Sequence, residues 1–196
     1  MVIFNCLMRG HCCKKFWIPV THLDLLRIME YCGIEITRDI VSLYEAELYE
    51  DLFYPRISLG GKKYFLALAS RSDGSCIFLD NGKCSIHRFK PYVCRFYPFV
   101  YVEKDGDVDI EVNENAIGEC PGLILDNDSI PIDLKNTLKM YARIRIQELK
   151  LYEKVVDDWN KSEFSANGDI DYLLLYILRR AVYDKKYLES IGMWHI

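Results

Sequence analysis

Four stretches of this chain space their apolar residues for helices, and three shorter ones read as strands. The first helix follows Thr21, which with Asp24 makes a variant capping box. It carries Leu23, Leu26, Ile28 and Met29 inward and ends near Gly33. A second helix is predicted from about Arg38 to Phe53, with Ile40, Leu43, Tyr44, Leu48 and Phe53 on its inner face. Pro55 and Gly60-Gly61 then break the chain. Lys63 to Ala69 reads as a strand. Tyr97–Glu103 and Val108–Val112 form the clearest hairpin, joined by Lys104-Asp105-Gly106-Asp107. A long helix is expected from Asp133 to about Trp159 and another from Ile170 to Tyr183, with room to continue to Leu188, separated by Asn167-Gly168.

Between the second helix and the long one the pattern is irregular. Asp80-Asn81-Gly82 is a turn signal between two short β-like runs, a small hairpin that brings Cys76 and Cys84 together at its base. Pro91 and Pro98 bracket Cys94 and are expected to keep that part irregular. The fold class is therefore α+β: a small cysteine-rich metal-binding core of hairpins and loops, packed against N-terminal and C-terminal helices. Residues 1–125 are read as the cysteine-cluster domain. Residues 126–196 are read as a helical extension that caps it rather than folding independently.

Composition narrows the classes. With 196 residues and 51% of them hydrophobic, the chain can build a core without disulfide staples. Net charge is −4, with acids and bases interspersed and no basic run, so nucleic acid is a disfavoured partner. The opening Met-Val-Ile-Phe-Asn-Cys lacks the plan of a signal peptide, and the longest apolar run, Tyr172 to Leu178, is too short to span a bilayer. The expectation is a cytoplasmic protein without a membrane partner, where clustered thiols serve metal or catalysis rather than crosslinking.

Seven of the eight cysteines, Cys6, Cys12, Cys13, Cys76, Cys84, Cys94 and Cys120, sit beside Gly, Pro, His and Lys in loop-like segments. Cys32, alone on a helix, is read as a small core residue. Disulfides could pair Cys76 with Cys84, but adjacent Cys12 and Cys13 are awkward partners and seven is an odd number. Thiolate is the ligand that borderline and soft metals favour. Lys14, Lys15, Lys83, Arg88, Lys90 and Arg95 lie near the cysteines and would offset thiolate charge. Phe16, Trp17, Phe78, Phe89, Phe96, Tyr97 and Phe99 would exclude water. No C-x2-C pair occurs, so an ordinary zinc ribbon is unsupported, and the bacterial ferredoxin spacing is missing too. An iron–sulfur cluster, [4Fe–4S] before other types, is the first expectation and zinc the second. Spacing leaves open which four cysteines share a site. His11 and His87 adjoin cysteines and are read as ligands, proton carriers or hydrogen-bonding groups. No G-x-G-x-x-G follows a strand.

The segment from Cys76 to Phe99, CIFLDNGKCSIHRFKPYVCRFYPF, resembles the signature of the YkgJ-type cysteine-cluster proteins, described as zinc- or iron-chelating domains. Cys6-Leu-Met-Arg9-Gly10-His-Cys12-Cys13 is similar to that family's N-terminal motif, and Cys120-Pro-Gly to a later cysteine. Arg9 replaces the motif's second cysteine, and Lys90 replaces an arginine before proline, keeping charge but losing the planar fork. The resemblance extends to flagellin lysine N-methylases of the FliB type. It thereby implies an alternative function, methyl transfer from S-adenosylmethionine to a lysine of a protein substrate. A metal-free, disulfide-stabilised interaction protein is the third reading.

Overall fold

A computed structural model describes residues 1–49, 54–104, 106–126 and 129–195. In chain order its elements are β1 (Val2–Phe4), α1 (His11–Lys15), α2 (His22–Cys32), β2 (Val41–Glu45), β3 (Ile57–Leu59), β4 (Lys62–Leu68), β5 (Leu79–Asp80), β6 (Lys83–Cys84), α3 (Tyr92–Phe96), β7 (Phe99–Lys104), β8 (Asp107–Val112), β9 (Leu123–Leu125), α4 (Ile132–Asn160) and α5 (Ile170–Ser190). The fold is α+β, with small antiparallel sheets: β1–β9, β2–β4–β3, β5–β6 and β7–β8. No helix among the described residues is long and apolar enough to cross a membrane.

Helix α2 starts where the capping box predicts. Thr21 Oγ1 accepts from the Asp24 N–H at 3.2 Å, and Asp24 Oδ2 accepts from the Thr21 N–H at 3.0 Å. Gly33 ends it in the left-handed region, φ 66°, where a Cβ would be strained. Every residue from His22 to Ile28 is buried.

The segment read as a second helix is a strand. Val41–Glu45 pairs with Glu45↔Tyr64 through Val41↔Leu68, and a short 3-10 turn, Ala46–Leu48, follows. Ile40, Leu43, Tyr44 and Leu48 do fall at helical spacing, but Ile40 and Val41 are β-branched and Tyr44 aromatic, and β4 supplies ladder partners no isolated helix could match. Leu48, expected inside, is 74% exposed. Phe53 lies outside the described residues. A second correction concerns Cys94. Pro91 does not keep that part irregular; it caps α3, because proline fits the first turn of a helix where its missing N–H costs nothing.

Helix α4, about 44 Å long at 1.5 Å per residue, carries the β7–β8 hairpin near its start and the three-stranded sheet near its end. Arg143 Nη2 reaches Asp107 at 3.0 Å and Lys135 Nζ reaches Asp109 at 2.7 Å. At the far end Trp159 Nε1 donates to the Ser58 carbonyl at 2.8 Å, and Ser58 N–H donates to Asn160 Oδ1 at 2.7 Å. One core therefore joins Ile18, Leu25, Leu66, Cys76 and Phe78 to Tyr152, Trp159, Leu173 and Ile177 of the C-terminal helices.

Within that core lies a charged group that periodicity conceals. Asp24 and Arg27 of α2 meet Arg145 and Glu148 of α4, all four at most 4% exposed. Arg145 Nη1 donates to Asp24 Oδ2 at 2.9 Å, and Arg27 forks onto both oxygens of Glu148. Two cations face two anions, so burial is tolerated only because each charge is paired. Asp24 Oδ1 also accepts the Tyr92 N–H at 3.2 Å, fixing the start of α3.

Candidate metal centre

Cys6, Cys12, Cys13, Cys84, Cys94 and Cys120 all line one cavity of about 480 Å³. They arrive from four places in the chain, and local chemistry explains each arrival. Cys12 and Cys13 ride on α1, which Gly10 opens with φ 65°. A Cβ on Gly10 would collide with Leu79 Cδ1 and lie 3.1 Å from Gly82 O, so only glycine lets this loop lie against the β5–β6 hairpin. That approach sets Cys13 beside Cys84, the residue paired with Leu79. Cys76 joins the same group through its N–H, which donates to the Cys13 carbonyl at 2.7 Å. Cys94 sits mid-way along α3, its N–H on Pro91 O at 2.9 Å.

Cys6 and Cys120 form an outer pair. The β1–β9 ladder continues into Asn5 N–H donating to Gly122 O at 3.0 Å, which draws residues 5–6 and 120–122 together. A Cβ on Gly122 would fall on Asn5 O, so the close approach requires glycine. Cys6 Sγ lies 3.6 Å from His87 Nε2, and Lys90 Nζ lies 3.4 Å from the same nitrogen. Lys15 of α1 pairs with Glu119 at 3.0 Å and ties this outer loop to the inner one.

The inner sulfurs interact directly. Cys13 is hydrogen-bonded to both Cys12 and Cys84. That contact holds Cys12 down at about 6 and Cys84 down at about 7 against the opposing effect of burial, with Lys90 lowering both further. Cys13 moves up for the same reason, since it keeps the proton its neighbours use. Burial pushes up the thiols of Cys76, Cys94 and Cys120. All eight cysteines are free thiols. Among the described residues no group of three or more His, Cys, Asp or Glu has ligand geometry as it stands. Cys13 keeps its proton between two sulfurs that give theirs up more readily, and a metal demands thiolates.

Several expected neighbours are at the cavity and several are not. Phe16, Trp17, Phe96, Tyr97 and Phe99 line it, as do His11, His87, Arg9 and Lys90. Phe78 belongs to the main core, and Phe89 stacks on Tyr31 instead, with Arg88 over its ring. Arg95 lies over Tyr92 and donates to Lys90 O at 3.1 Å. Lys14 and Lys83 are exposed. Cys32 is half-buried against the core and does not line the cavity.

Three further residues shape the site without a motif to mark them. Arg71 donates to the carbonyls of Leu79 and Ile77 and braces the loop from Cys76 to Cys84; no local pattern announces it. Arg145 and Tyr54 also line the cavity. Arg145 shares with Glu148 the otherwise apolar helical stripe of Leu138, Ala142, Tyr152 and Val155.

A family model described as "putative zinc- or iron-chelating domain" matches residues 5–121, a span that contains all seven clustered cysteines. Neither a curated protein nor a solved structure matches the chain.

Proposed function

We propose that this chain, a member of the zinc- or iron-chelating cysteine family, holds its metal through Cys12, Cys13, Cys84 and Cys94, with an iron–sulfur cluster as the favoured species. The observation that carries the reading is the meeting of six thiols from distant segments at one cavity, more donors than a single tetrahedral ion takes. Cys76 backs the inner set, and Cys6 with Cys120 and His87 stands as an outer set that a second ion would use. When bound, a cluster would supply a one-electron redox centre, and zinc a structural tie.

The chain's own residues prepare that role. Cys12 and Cys84 are readied for deprotonation, and Lys90 offsets charge as thiolates form. Phe16, Tyr97 and Phe99 limit water at the sulfurs, which tunes a centre's potential. Arg9, where the family motif has cysteine, adds a cation to the lining instead of a thiolate.

Anaerobic purification with iron, zinc and acid-labile sulfide analysis, read beside the visible spectrum, tests the reading. Iron with sulfide supports the cluster. Zinc alone in a colourless protein replaces it with a structural ion. Oxidised thiols and no metal would sink the proposal.

A further inference from the structure

The thiols account for only part of the cavity. The cavity measures about 480 Å³, inside the range of about 300–1,000 Å³ typical of small-molecule pockets, and its lining runs well beyond the sulfurs. The rest of the lining is mainly apolar and aromatic: Trp17, Tyr54, Phe99, Tyr101 and Leu149 contribute to it.

Apart from the thiols, which Lys90 faces, the charges in that lining have one sign. Arg9, Lys90 and Arg145 are there, and among the described residues no Asp or Glu is. Lys90 acts on Cys12, Cys84 and Cys94, so its charge is matched to the thiols. Arg145 is different. It is 4% exposed, yet forms part of the wall. Its bonds to Asp24 Oδ2 at 2.9 Å and Tyr54 OH at 3.5 Å use two of a guanidinium's five N–H donors. Asp24 and Glu148, which balance the buried arginines, do not line the cavity. Arg145 thus belongs to the wall, and its counter-charges do not. Asp24 already offsets the charge of Arg145, so what this apolar wall offers a carboxylate is the spare N–H donors of a planar fork, which suits it better than a point charge would.

We propose that this cavity binds a small organic carboxylate with a planar apolar body, the carboxylate on Arg145 and the body against Trp17, Tyr54, Phe99 and Tyr101. The site shares a cavity with the thiols but requires no ion, so it stands or falls separately from the metal.

The test titrates the protein, as purified, with 2-naphthoate and with its uncharged counterpart 2-naphthylmethanol by calorimetry, metal content being measured on the same samples. Naphthoate is expected to bind at least about tenfold more tightly than the alcohol, and Arg145→Met to erase that preference at unchanged metal content. Equal affinities in the unaltered protein, or no binding of either, overturn the proposal. So does a preference that survives Arg145→Met, which would put the carboxylate on the metal or on another cation. Should Arg145→Met fail to fold, Leu149→Trp fills the cavity from α4. It should lose naphthoate while keeping the circular dichroism of the unaltered chain, and undiminished binding refutes the site. Metal-free protein that still binds naphthoate through Arg145 would remove the metal reading and leave this one.

Discussion

Asp24 is the residue whose replacement probes both the fold and the metal centre. Its carboxylate is 1% exposed and accepts from Thr21 N–H at 3.0 Å, Thr21 Oγ1 at 3.1 Å, Tyr92 N–H at 3.2 Å and Arg145 Nη1 at 2.9 Å, with Arg27 Nη1 at 3.8 Å. Asp24→Asn keeps the shape, removes the charge and leaves Glu148 alone to balance two buried guanidinium groups. Breaking a buried ion pair by removing one partner costs about 3–5 kcal/mol. The amide retains one acceptor, so the lower end, about 3 kcal/mol, is expected. For a chain of this size each kcal/mol is worth about 2–4 °C, so the melting temperature at pH 7 should fall by about 6–12 °C. The dependence on pH gives a second check. Burial pushes the Asp24 carboxyl up, but Arg145, Arg27 and the N–H groups of Thr21 and Tyr92 outweigh it and hold it below its ordinary value. A folded value below the unfolded one, about 3.9, stabilises the protein above that pH, and the contribution is lost as pH falls through the folded value. The gap between the two proteins should therefore be full at neutral pH and shrink below about pH 4. Calorimetric melts at pH 7 and pH 3 measure it. A loss under about 1 kcal/mol at pH 7, or a gap that persists undiminished in acid, refutes the reasoning.

Two further substitutions, one of them with a control, address the centre itself. Cys84→Ser should abolish most metal or sulfide content while Cys32→Ser, outside the cavity, leaves it intact; equal losses would break the assignment of ligands to the cavity. Gly122→Ala places a methyl group on Asn5 O and should lower urea stability by about 1–3 kcal/mol through overpacking. An unchanged midpoint would show that the β1–β9 end opens without cost.

The helices with strong periodicity were legible to within a few residues. The capping box at Thr21 and Asp24, the stripe from Leu134 to Trp159 and the hairpin around Gly106 are short-range patterns, and each element can satisfy its backbone hydrogen bonds from its own neighbours. Residues 41–45 carry a spacing that fits both periods, and the choice belongs to β4, some twenty residues away. The buried quartet of Asp24, Arg27, Arg145 and Glu148 was equally out of reach. A charged residue within a helix looks solvated until a second helix brings its counter-charge.

The donor chemistry is written in the chain alone. Seven clustered thiols among cations and aromatics announce a metal-chelating family, because ligand type follows from side-chain identity. Their order in space is not written there. Cys12 and Cys13 meet Cys84 because Gly10 permits two backbones to touch. Cys6 meets His87, and residues 5–6 meet 120–122, because β1 closes on β9 across more than a hundred residues. The cavity, its arginine and its aromatic wall exist only once α4 packs against α2 and the β7–β8 hairpin. Such meetings are long-range, and nothing in local spacing encodes which distant backbone a glycine or a buried charge will find.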